Sequence, residues 1–379
     1  MKKTREQLYN DVIEAYRIAK RHKSAKIYVL KFDLKFEENI NNIVDELYNR
    51  NYKVLPSTCF IIEDPKKREV FAADFRDRIV QHLYYMYTYE LFERLFIYDS
   101  YSCRNKKGTL FGIRRLERHI KSESNNWKEP CYCLQLDIKG YFMSINKKLL
   151  IDIIISNLDR KRYDIYKDGK TFDEILDFDL LYYLTREIVN IDPTDSCIFK
   201  SNKCKWDGLP DSKSLFKVDS QHGLPIGNLT SQLFSNIYMN VFDQFVKKEL
   251  KFKHYGRYVD DSYIVCRDKD RLRECIPIIS KFLKDKLDLS LQFGKTKIVN
   301  AKNGVNFCGA FVKPYRTYVS NKSLKRMNKK LSMHNPSNTE NYEVMVQSYL
   351  GMLSHYKSFK IRYNVIAKAN KLLCKVYEV

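Results

Sequence analysis

The sequence contains no uncharged apolar run of the roughly 20 residues that a helix needs to span a bilayer, so we expect no membrane association. The segment MKKTREQLYNDVIEAYRIAKRHK at the N-terminus lacks the apolar region of a secretory signal and has the spacing of a charged amphipathic helix. No internal repeat or low-complexity tract is evident. These absences favour a cytoplasmic globular protein.

Cysteine occurs ten times but in no pattern that completes a metal site. Cys131 and Cys133 belong to an alternating segment typical of a buried strand, and Cys197 and Cys204 lack the matching pair that four zinc ligands require. Without a secretory signal, we expect reduced thiols rather than disulfides.

Acidic residues are scarce relative to basic ones, 46 against 68, which leaves a formal charge of +22 on 379 residues. Such a charge attracts polyanions, and nucleic acid is the first partner to consider because phosphate neutralisation releases counterions. A basic protein that binds no nucleic acid is the alternative. The chain is long enough for two or three domains.

The hydrophobic pattern predicts an α+β fold, with the period changing between helical and strand spacing along the chain. The C-terminal 59 residues carry 11 Lys or Arg and 3 Asp or Glu on helical patterns. The sequence predicts helices over 1–55, 75–95, 231–250 and 270–287, strands around 59–71 and up to Asp137, and hairpins around 254–267 and 304–312.

Two adjacent acids, Asp260 and Asp261, stand between two aromatic, β-branched runs, as at the tip of a hairpin. Their mutual repulsion is unfavourable unless cations or solvent compensate it. Mg²⁺ prefers carboxylate and phosphate oxygens, and Asp137 at the end of a buried strand can supply a third carboxylate. A solvated Asp-Asp turn is the alternative.

The motif YVDD, with LDIKGYF upstream and GLPIGNLTSQ between the two, resembles reverse transcriptases in content and order. The resemblance runs from about residue 60 to about residue 366. It implies a right-hand polymerase with fingers, an antiparallel-sheet palm and a helical thumb. The corresponding segments are an N-terminal helical extension 1–55, fingers 56–130, palm 131–312 with an insertion at about 159–221, and thumb 313–379.

The resemblance also implies the metal site. By this likeness Asp137 and Asp260 bridge two Mg²⁺ ions, for which Mn²⁺ can substitute, while Asp261 assists. The backbone carbonyl of Ile138 completes the ligand set.

Further residues match positions of the same family. Lys295 resembles the lysine that protonates the departing pyrophosphate, Lys297 is its rival, and a plain surface lysine is the alternative. Phe307, Cys308 and Gly309 match the hairpin that grips the primer end, although a turn of the core would look much the same.

The expected nucleotide contacts are spread over four segments. Phe142, with Tyr141 as its neighbour, matches the aromatic steric gate that excludes a ribose 2′-hydroxyl, although a core aromatic would look similar. Arg68 and Arg78 match the cations of the fingers that hold the triphosphate, for which a planar guanidinium is suited. Either arginine could instead form a surface ion pair.

The GLPIGNLTSQ motif adds Ile226, Gly227 and Gln232 to the expected nucleotide-binding residues. Ile226 stands where many reverse transcriptases have Gln near the incoming base pair. Loss of an amide that contacts the minor groove is expected to loosen base selection.

GLPIGNLTSQ and DSYSCRNKKGT look like the reverse transcriptases of bacterial diversity-generating retroelements, which copy a structured template RNA with frequent errors. Expected partners are that RNA, a DNA primer or cDNA product, deoxynucleotides, and a small basic accessory protein or a second reverse transcriptase. Defence-associated reverse transcriptases share much of this core and remain an alternative, with their own noncoding RNA and protein-primed or template-independent synthesis. A catalytically idle RNA-binding scaffold is a third interpretation. We expect no nuclease domain.

Overall fold

The computed structural model describes residues 2–64, 66–332 and 339–377. Parts of the predicted thumb, residues 333–338 and 378–379, lie outside the described residues. The helices are α1 (Arg5–Lys20), α2 (Ile27–Asp33), α3 (Phe36–Tyr48), α4 (Phe75–Glu93), α5 (Thr109–Glu123), α6 (Tyr141–Ser144), α7 (Lys147–Lys161), α8 (Phe172–Ile175), α9 (Phe178–Asn190), α10 (Leu229–Gln244), α11 (Lys269–Leu287), α12 (Asn321–Ser332), α13 (Thr339–Ser354) and α14 (Phe359–Tyr377).

The strands in the described part of the chain pair mainly in antiparallel fashion. They are β1 (Thr58–Ile62), β2 (Arg68–Ala72), β3 (Tyr132–Leu136), β4 (Ile165–Lys167), β5 (Lys170–Thr171), β6 (Ile198–Phe199), β7 (His254–Tyr258), β8 (Asp261–Cys266), β9 (Lys297–Asn300), β10 (Val305–Phe307), β11 (Ala310–Lys313) and β12 (Arg316–Val319). They form sheets of order β2-β1-β6, β7-β8-β3-β9, β10-β11-β12 and β4-β5. The predicted α+β class with an antiparallel, palm-type sheet is confirmed.

The chain divides into two compact units, each assembled from segments that are distant in sequence. The first unit consists of Met1–Tyr98, Ile138–Phe245 and Pro277–Gln292, and the second of Asp99–Asp137, Val246–Ile276 and Phe293–Val379.

In the first unit, the N-terminal helices form because their ends are capped and one face is apolar. Thr4 accepts a hydrogen bond from the backbone N–H of Gln7, and the Gln7 side chain accepts one from the Thr4 N–H, which together form a capping box. Leu8 and Val12 of α1 are fully buried, and α1 packs against α3 and α4. The predicted helical character of the N-terminal segment is confirmed.

The three-stranded sheet of the first unit combines the hairpin β1–β2 with β6, a strand from within the predicted insertion 159–221. β1 and β2 pair antiparallel, whereas β6 pairs parallel to β1 through Thr58 with Ile198 and Cys59 with Phe199. Beneath this sheet lies an apolar cluster of buried residues: Cys59, Phe71, Met143 and Leu215.

In the second unit, β3 is an inner strand between β8 and β9, and both pairings are antiparallel. Cys133 and Leu134 in β3 are fully buried, as expected of a strand covered on both faces. Helix α5 packs against β7 and β8. The buried core here is formed by Tyr101, Ile113, Leu116, Ile120, Trp127, Cys131, Cys133, Tyr263, Val265, Ala301, Val305, Phe307, Ala310 and Val312.

The C-terminal helices α12, α13 and α14 share a separate apolar core within the second unit. Its buried members are Val319, Met327, Leu331, Tyr342, Val346, Leu353, Val365 and Ala369. Over the described residues, none of the helices combines the length and apolar character needed to cross a bilayer.

Candidate active site

The YVDD motif forms the tip of the hairpin β7–β8. Tyr258 pairs with Asp261, so Val259 and Asp260 are the two residues of the turn. Val259 has a φ of 57°, which is unfavourable for a β-branched side chain. The predicted hairpin, with its carboxylates at the tip, is confirmed.

Strand β3 brings Asp137 to the same end of the sheet. Leu136 pairs with Ser262 across the β3–β8 ladder, and Asp137 follows Leu136 directly, beside Asp261. Asp137 and Asp261 are more than a hundred positions apart in sequence. The pairing of β3 with β8 nevertheless places them side by side at the same end of the sheet. The three carboxylates therefore lie at the same end of this sheet in the second unit, and they are called the carboxylate cluster below.

The charges of this cluster act on one another. Burial, followed by the negative charges of Asp261 and Asp137, raises the pKa of Asp260 to about 6. Lys295 donates a hydrogen bond from Nζ to Oδ2 of Asp137 at 2.6 Å. That bond raises the pKa of Lys295 above its ordinary value. Accumulated negative charge at a partly buried site is what a bound cation would relieve.

The donor chemistry fits a hard divalent cation, since carboxylate oxygens are its preferred ligands. Among the described residues, no three or more His, Cys, Asp or Glu side chains are gathered closely enough to hold a metal ion. The ammonium of Lys295 engages Asp137 instead, so a metal would compete with this lysine for the carboxylate. Ile138, whose carbonyl was the predicted fourth ligand, is buried and belongs to the first unit.

The predicted primer-grip residues form the hairpin between β10 and β11. Phe307 pairs with Ala310, and the two turn residues, Cys308 and Gly309, have φ angles of 49° and 80°. Positive φ at both positions is the twist that a two-residue hairpin turn favours. Burial raises the pKa of the Cys308 thiol, and the charge of Asp261 adds to this increase. The hairpin therefore lies within electrostatic reach of the carboxylate cluster.

In the first unit, Phe142 and Ile226 pack against the same apolar cluster under the β1–β2 hairpin. The Phe142 carbonyl accepts a hydrogen bond from Leu224 N at 2.9 Å. Tyr141 is buried, and its hydroxyl donates to the Ser235 carbonyl at 2.6 Å. The LDIKGYF and GLPIG segments are thus joined, with Phe142 half-buried at their contact.

Gly227 lies where the GLPIG loop crosses β2. Its φ is 128°, and a Cβ there would lie 2.8 Å from Val70 Cγ1 and 2.9 Å from the Phe71 carbonyl oxygen. Ile226 O accepts a hydrogen bond from Phe71 N at 2.9 Å. The close approach of two backbones explains a glycine at this position. Its role in nucleotide binding stays a prediction.

The predicted triphosphate cations occupy different environments. Arg68 is exposed at the start of β2. Arg78 donates from Nε to the Ala73 carbonyl at 2.8 Å, and its guanidinium lies 4.9 Å from the centre of the Tyr28 ring. Gln232 is exposed on α10. All three belong to the first unit.

Two residues that contact the Val259–Asp260 turn, one in β7 and one in a distant segment, were not predicted. Arg257 is fully buried although it carries a charge, and the buried Ser102 contacts the turn from a distant segment. The sequence signal for Arg257 is a single cation inside an otherwise aromatic and apolar strand, directly before YVDD. Ser102 carries no comparable signal.

Residues 170–312 match the family model described as reverse transcriptase (RNA-dependent DNA polymerase). The chain contains a reverse transcriptase domain. The match includes Asp260, Asp261 and Lys295 and begins after Asp137, which the sheet register places beside them. The enzyme class predicted from the sequence, an RNA-directed DNA polymerase, is confirmed for this domain.

The chain is also similar to Protein YkfC of Escherichia coli (strain K12), with 23% identity over 299 residues that cover 70% of this chain and 68% of the relative. Among solved structures, apo telomerase from Candida tropicalis truncated from its C-terminal domain matches with a TM-score of 0.48 and 13% identity, covering 70% of this chain and 55% of that one. Telomerase from Candida albicans, solved with a fragment of telomeric RNA, matches with a TM-score of 0.44 and 12% identity, covering 87% and 62%. The chain spans only 55% and 62% of the length of these telomerase chains.

Proposed function

We propose that this protein copies RNA into DNA, transferring deoxynucleotides to a primer 3′-hydroxyl at the cluster of Asp137, Asp260 and Asp261. The observation that carries the proposal is the convergence of Asp137 with the YVDD turn at one sheet edge, in a chain with a reverse transcriptase domain. Reverse transcriptase domains use divalent metals, and we propose two Mg²⁺ here, with Mn²⁺ as a substitute.

The three carboxylates, with the Ile138 carbonyl, would hold the ions. When bound, the ions would activate the attacking hydroxyl and neutralise charge on the departing pyrophosphate. Lys295, released from Asp137, would donate its proton to the pyrophosphate oxygen, and the hydrogen bond between its ammonium and Asp137 supports this proposal.

Other residues would bind the incoming nucleotide and the end of the primer. We propose that Arg68 and Arg78 bind the triphosphate and that the Phe142 ring occupies the space of a ribose 2′-hydroxyl. Ile226 and Gly227, with Gln232, would border the nascent base pair, and the hairpin Phe307–Gly309 would hold the primer end.

The first test is Asp260→Asn in primer extension on an RNA template with a DNA primer. We expect turnover to fall by about a thousandfold or more, because a metal ligand is lost from the reacting centre. RNA affinity should stay near that of the wild type, measured by filter binding. The control is Asp285→Asn, which makes the same charge change at an exposed position of α11. Undiminished extension by the Asp260 variant would refute the assignment.

At a finer level, we propose the diversity-generating type, with error-prone cDNA synthesis from a structured RNA and a small basic accessory protein. The support is the likeness of GLPIGNLTSQ and DSYSCRNKKGT to that group, together with Ile226 in place of glutamine. Sequencing the nucleic acid that copurifies with the protein tests this proposal. A template repeat with errors opposite adenine supports it. Products of a dedicated noncoding RNA, or untemplated DNA, would instead indicate the defence-associated type.

A further inference from the structure

The segment Asp99–Ser102, part of the DSYSCRNKKGT motif, runs beside strand β7 in the second unit. Arg257 N donates to the Asp99 carbonyl at 2.9 Å, and Tyr101 N donates to the Arg257 carbonyl at 3.0 Å. The Asp99 carboxylate in turn accepts a hydrogen bond from Arg115 Nε at 2.6 Å. Hydrogen bonds therefore hold the segment both to α5 and to β7, the strand that precedes the Val259–Asp260 turn.

From this position, side chains hold both backbone groups of Val259. Arg257 donates from Nη1 to the Val259 carbonyl at 2.8 Å and from Nη2 to Ser100 Oγ at 3.3 Å. Val259 N donates to Ser102 Oγ at 3.2 Å. Arg257 and Ser102, together called the turn clamp here, are both buried.

The clamp acts on a residue whose backbone is unfavourable in isolation. Val259 is the first residue of a two-residue turn and has a φ of 57°, where glycine is the preferred residue. A β-branched residue keeps such a conformation only when its surroundings impose it. The next residue is Asp260, the other residue of the turn, so the backbone conformation at Val259 affects where the Asp260 carboxylate lies relative to Asp261 at the start of β8.

We propose that Arg257 and Ser102 are positioning residues, which hold the Val259–Asp260 turn in the one conformation that lets Asp260 and Asp261 act together with Asp137. The proposal rests on the proposed polymerase function and adds to it a source of preorganisation outside the three acids. Displacement of a reacting group by as little as about 1 Å can cost about a hundredfold in rate.

If Ser102 had a merely structural role, its replacement by alanine would lower the stability of the protein and leave the rate of the reaction unchanged. Ser124 provides a matched control, since it is a buried serine of the same unit whose Oγ also accepts one backbone hydrogen bond, from Trp127 N at 2.9 Å. Ser102→Ala and Ser124→Ala each remove one oxygen atom together with a hydrogen bond that this oxygen accepts from a backbone N–H. Their effects on thermal unfolding should therefore be similar.

Their effects on the reaction should differ. For Ser102→Ala we expect kcat for primer extension to fall about tenfold, with KM for the deoxynucleotide changed less than about twofold. Mn²⁺ binding to the substrate-free protein, followed by electron paramagnetic resonance, should weaken by about threefold or more. Ser124→Ala should keep the wild-type kcat and Mn²⁺ affinity.

A double-mutant cycle with Val259→Gly tests the mechanism directly. Glycine adopts positive φ without strain, so the turn needs less support. Ser102→Ala should then lower kcat by less than about threefold in the Val259→Gly background. An equal loss in both backgrounds, or equal kcat and Mn²⁺ affinity for the two serine variants, would overturn the proposal.

Failure of this inference is distinguishable from failure of the proposed function. If the wild type extends primers and Asp260→Asn does not, the polymerase assignment stands whatever the serine variants do. If the wild type shows no extension, the Mn²⁺ titration of the two serine variants still compares the clamp with its control.

Discussion

Lys295 and Lys297 are both exposed and only two positions apart, yet their surroundings differ. Lys295 reaches Asp137 with its ammonium, whereas Lys297 opens β9 and pairs through its backbone with Gln135. The contact with Asp137, an acid of the proposed active site, supports the proposal that Lys295 rather than Lys297 takes part in the reaction.

We therefore expect Lys295→Ala to lower kcat for nucleotide addition by about a hundredfold, the usual contribution of a positioned acid. Lys297→Ala, with the same loss of charge, should stay within about twofold of the wild type. Single-turnover quench-flow measurements would report both values. Equal losses in the two variants would remove Lys295 from the role.

Phe142 is the second residue whose environment supports a specific test. Replacement by alanine should admit ribonucleotides, and discrimination against them should fall about tenfold or more, because the ring no longer fills the space of the 2′-hydroxyl. Competition between dNTP and rNTP in primer extension measures this ratio. Phe216→Ala is the control, since Phe216 is also half-buried against the same apolar cluster. A change of similar size in the control would indicate general loosening of the cluster.

At the scale of elements, the loop that carries GLPIG depends on one close approach to β2. Gly227→Ala would require both a positive φ and a Cβ against the Phe71 carbonyl. We expect a loss of about 1–3 kcal/mol in the free energy of unfolding, measured by denaturant titration. Gly351→Ala in α13 is the control, since the added Cβ would have no atom within 4 Å apart from its chain neighbours and the backbone of its own helix. That variant should be neutral or stabilised by up to about 1 kcal/mol. Unchanged stability of Gly227→Ala would argue against the close contact.

Elements with a strong local pattern were predictable from the sequence, and contacts between distant segments were not. The two acids between aromatic runs predicted the β7–β8 hairpin, and alternation predicted β3. By contrast, the buried Glu69 accepts hydrogen bonds from Trp206 Nε1, Ser214 Oγ and Leu215 N, some 140 positions away. Hydrophobic periodicity and turn motifs report only local structure. They therefore could not predict these hydrogen bonds between segments that are distant in sequence.

The same limit applied to the active site. The three acids could be proposed from the sequence because adjacent aspartates between aromatic strands, with a third aspartate at the end of another strand, form a recognisable pattern. The turn clamp could not be predicted, because the local sequence around Ser102 has no distinctive pattern and its partner, the Val259 N–H, is a backbone group. A positive φ at Val259 also has no sequence signal, since valine normally avoids it.

At the scale of the whole molecule, the net charge of +22 predicts strongly salt-dependent RNA binding. Helix α12 contributes an exposed basic surface formed by Lys322, Lys325 and Lys329, while Met327 and Leu331 face its apolar core. If this surface contacts RNA phosphates, each lysine adds to the slope of log affinity against log salt concentration.

Replacing these three lysines by glutamine should make that slope shallower by about 2, at about 0.7 per contact for single-stranded RNA. Fluorescence anisotropy across a salt series gives the slope. In the control variant, glutamine replaces three exposed lysines of α11, Lys281, Lys284 and Lys286. The net charge changes by the same amount as in the test variant. Equal changes in both variants would mean that the overall field, rather than α12, determines the dependence.

The parallel pairing of β6 with β1 has a consequence for how this protein can change over time. The segment that supplies β6 also supplies the groups that bind the Glu69 carboxylate on β2. Deletion of that segment would leave the buried Glu69 carboxylate without these hydrogen-bond donors. It would also expose the edge of β1, which could then pair with strands of other chains. The two regions must therefore evolve together. A homologue in which one of them is shortened or replaced would need compensating substitutions in the other.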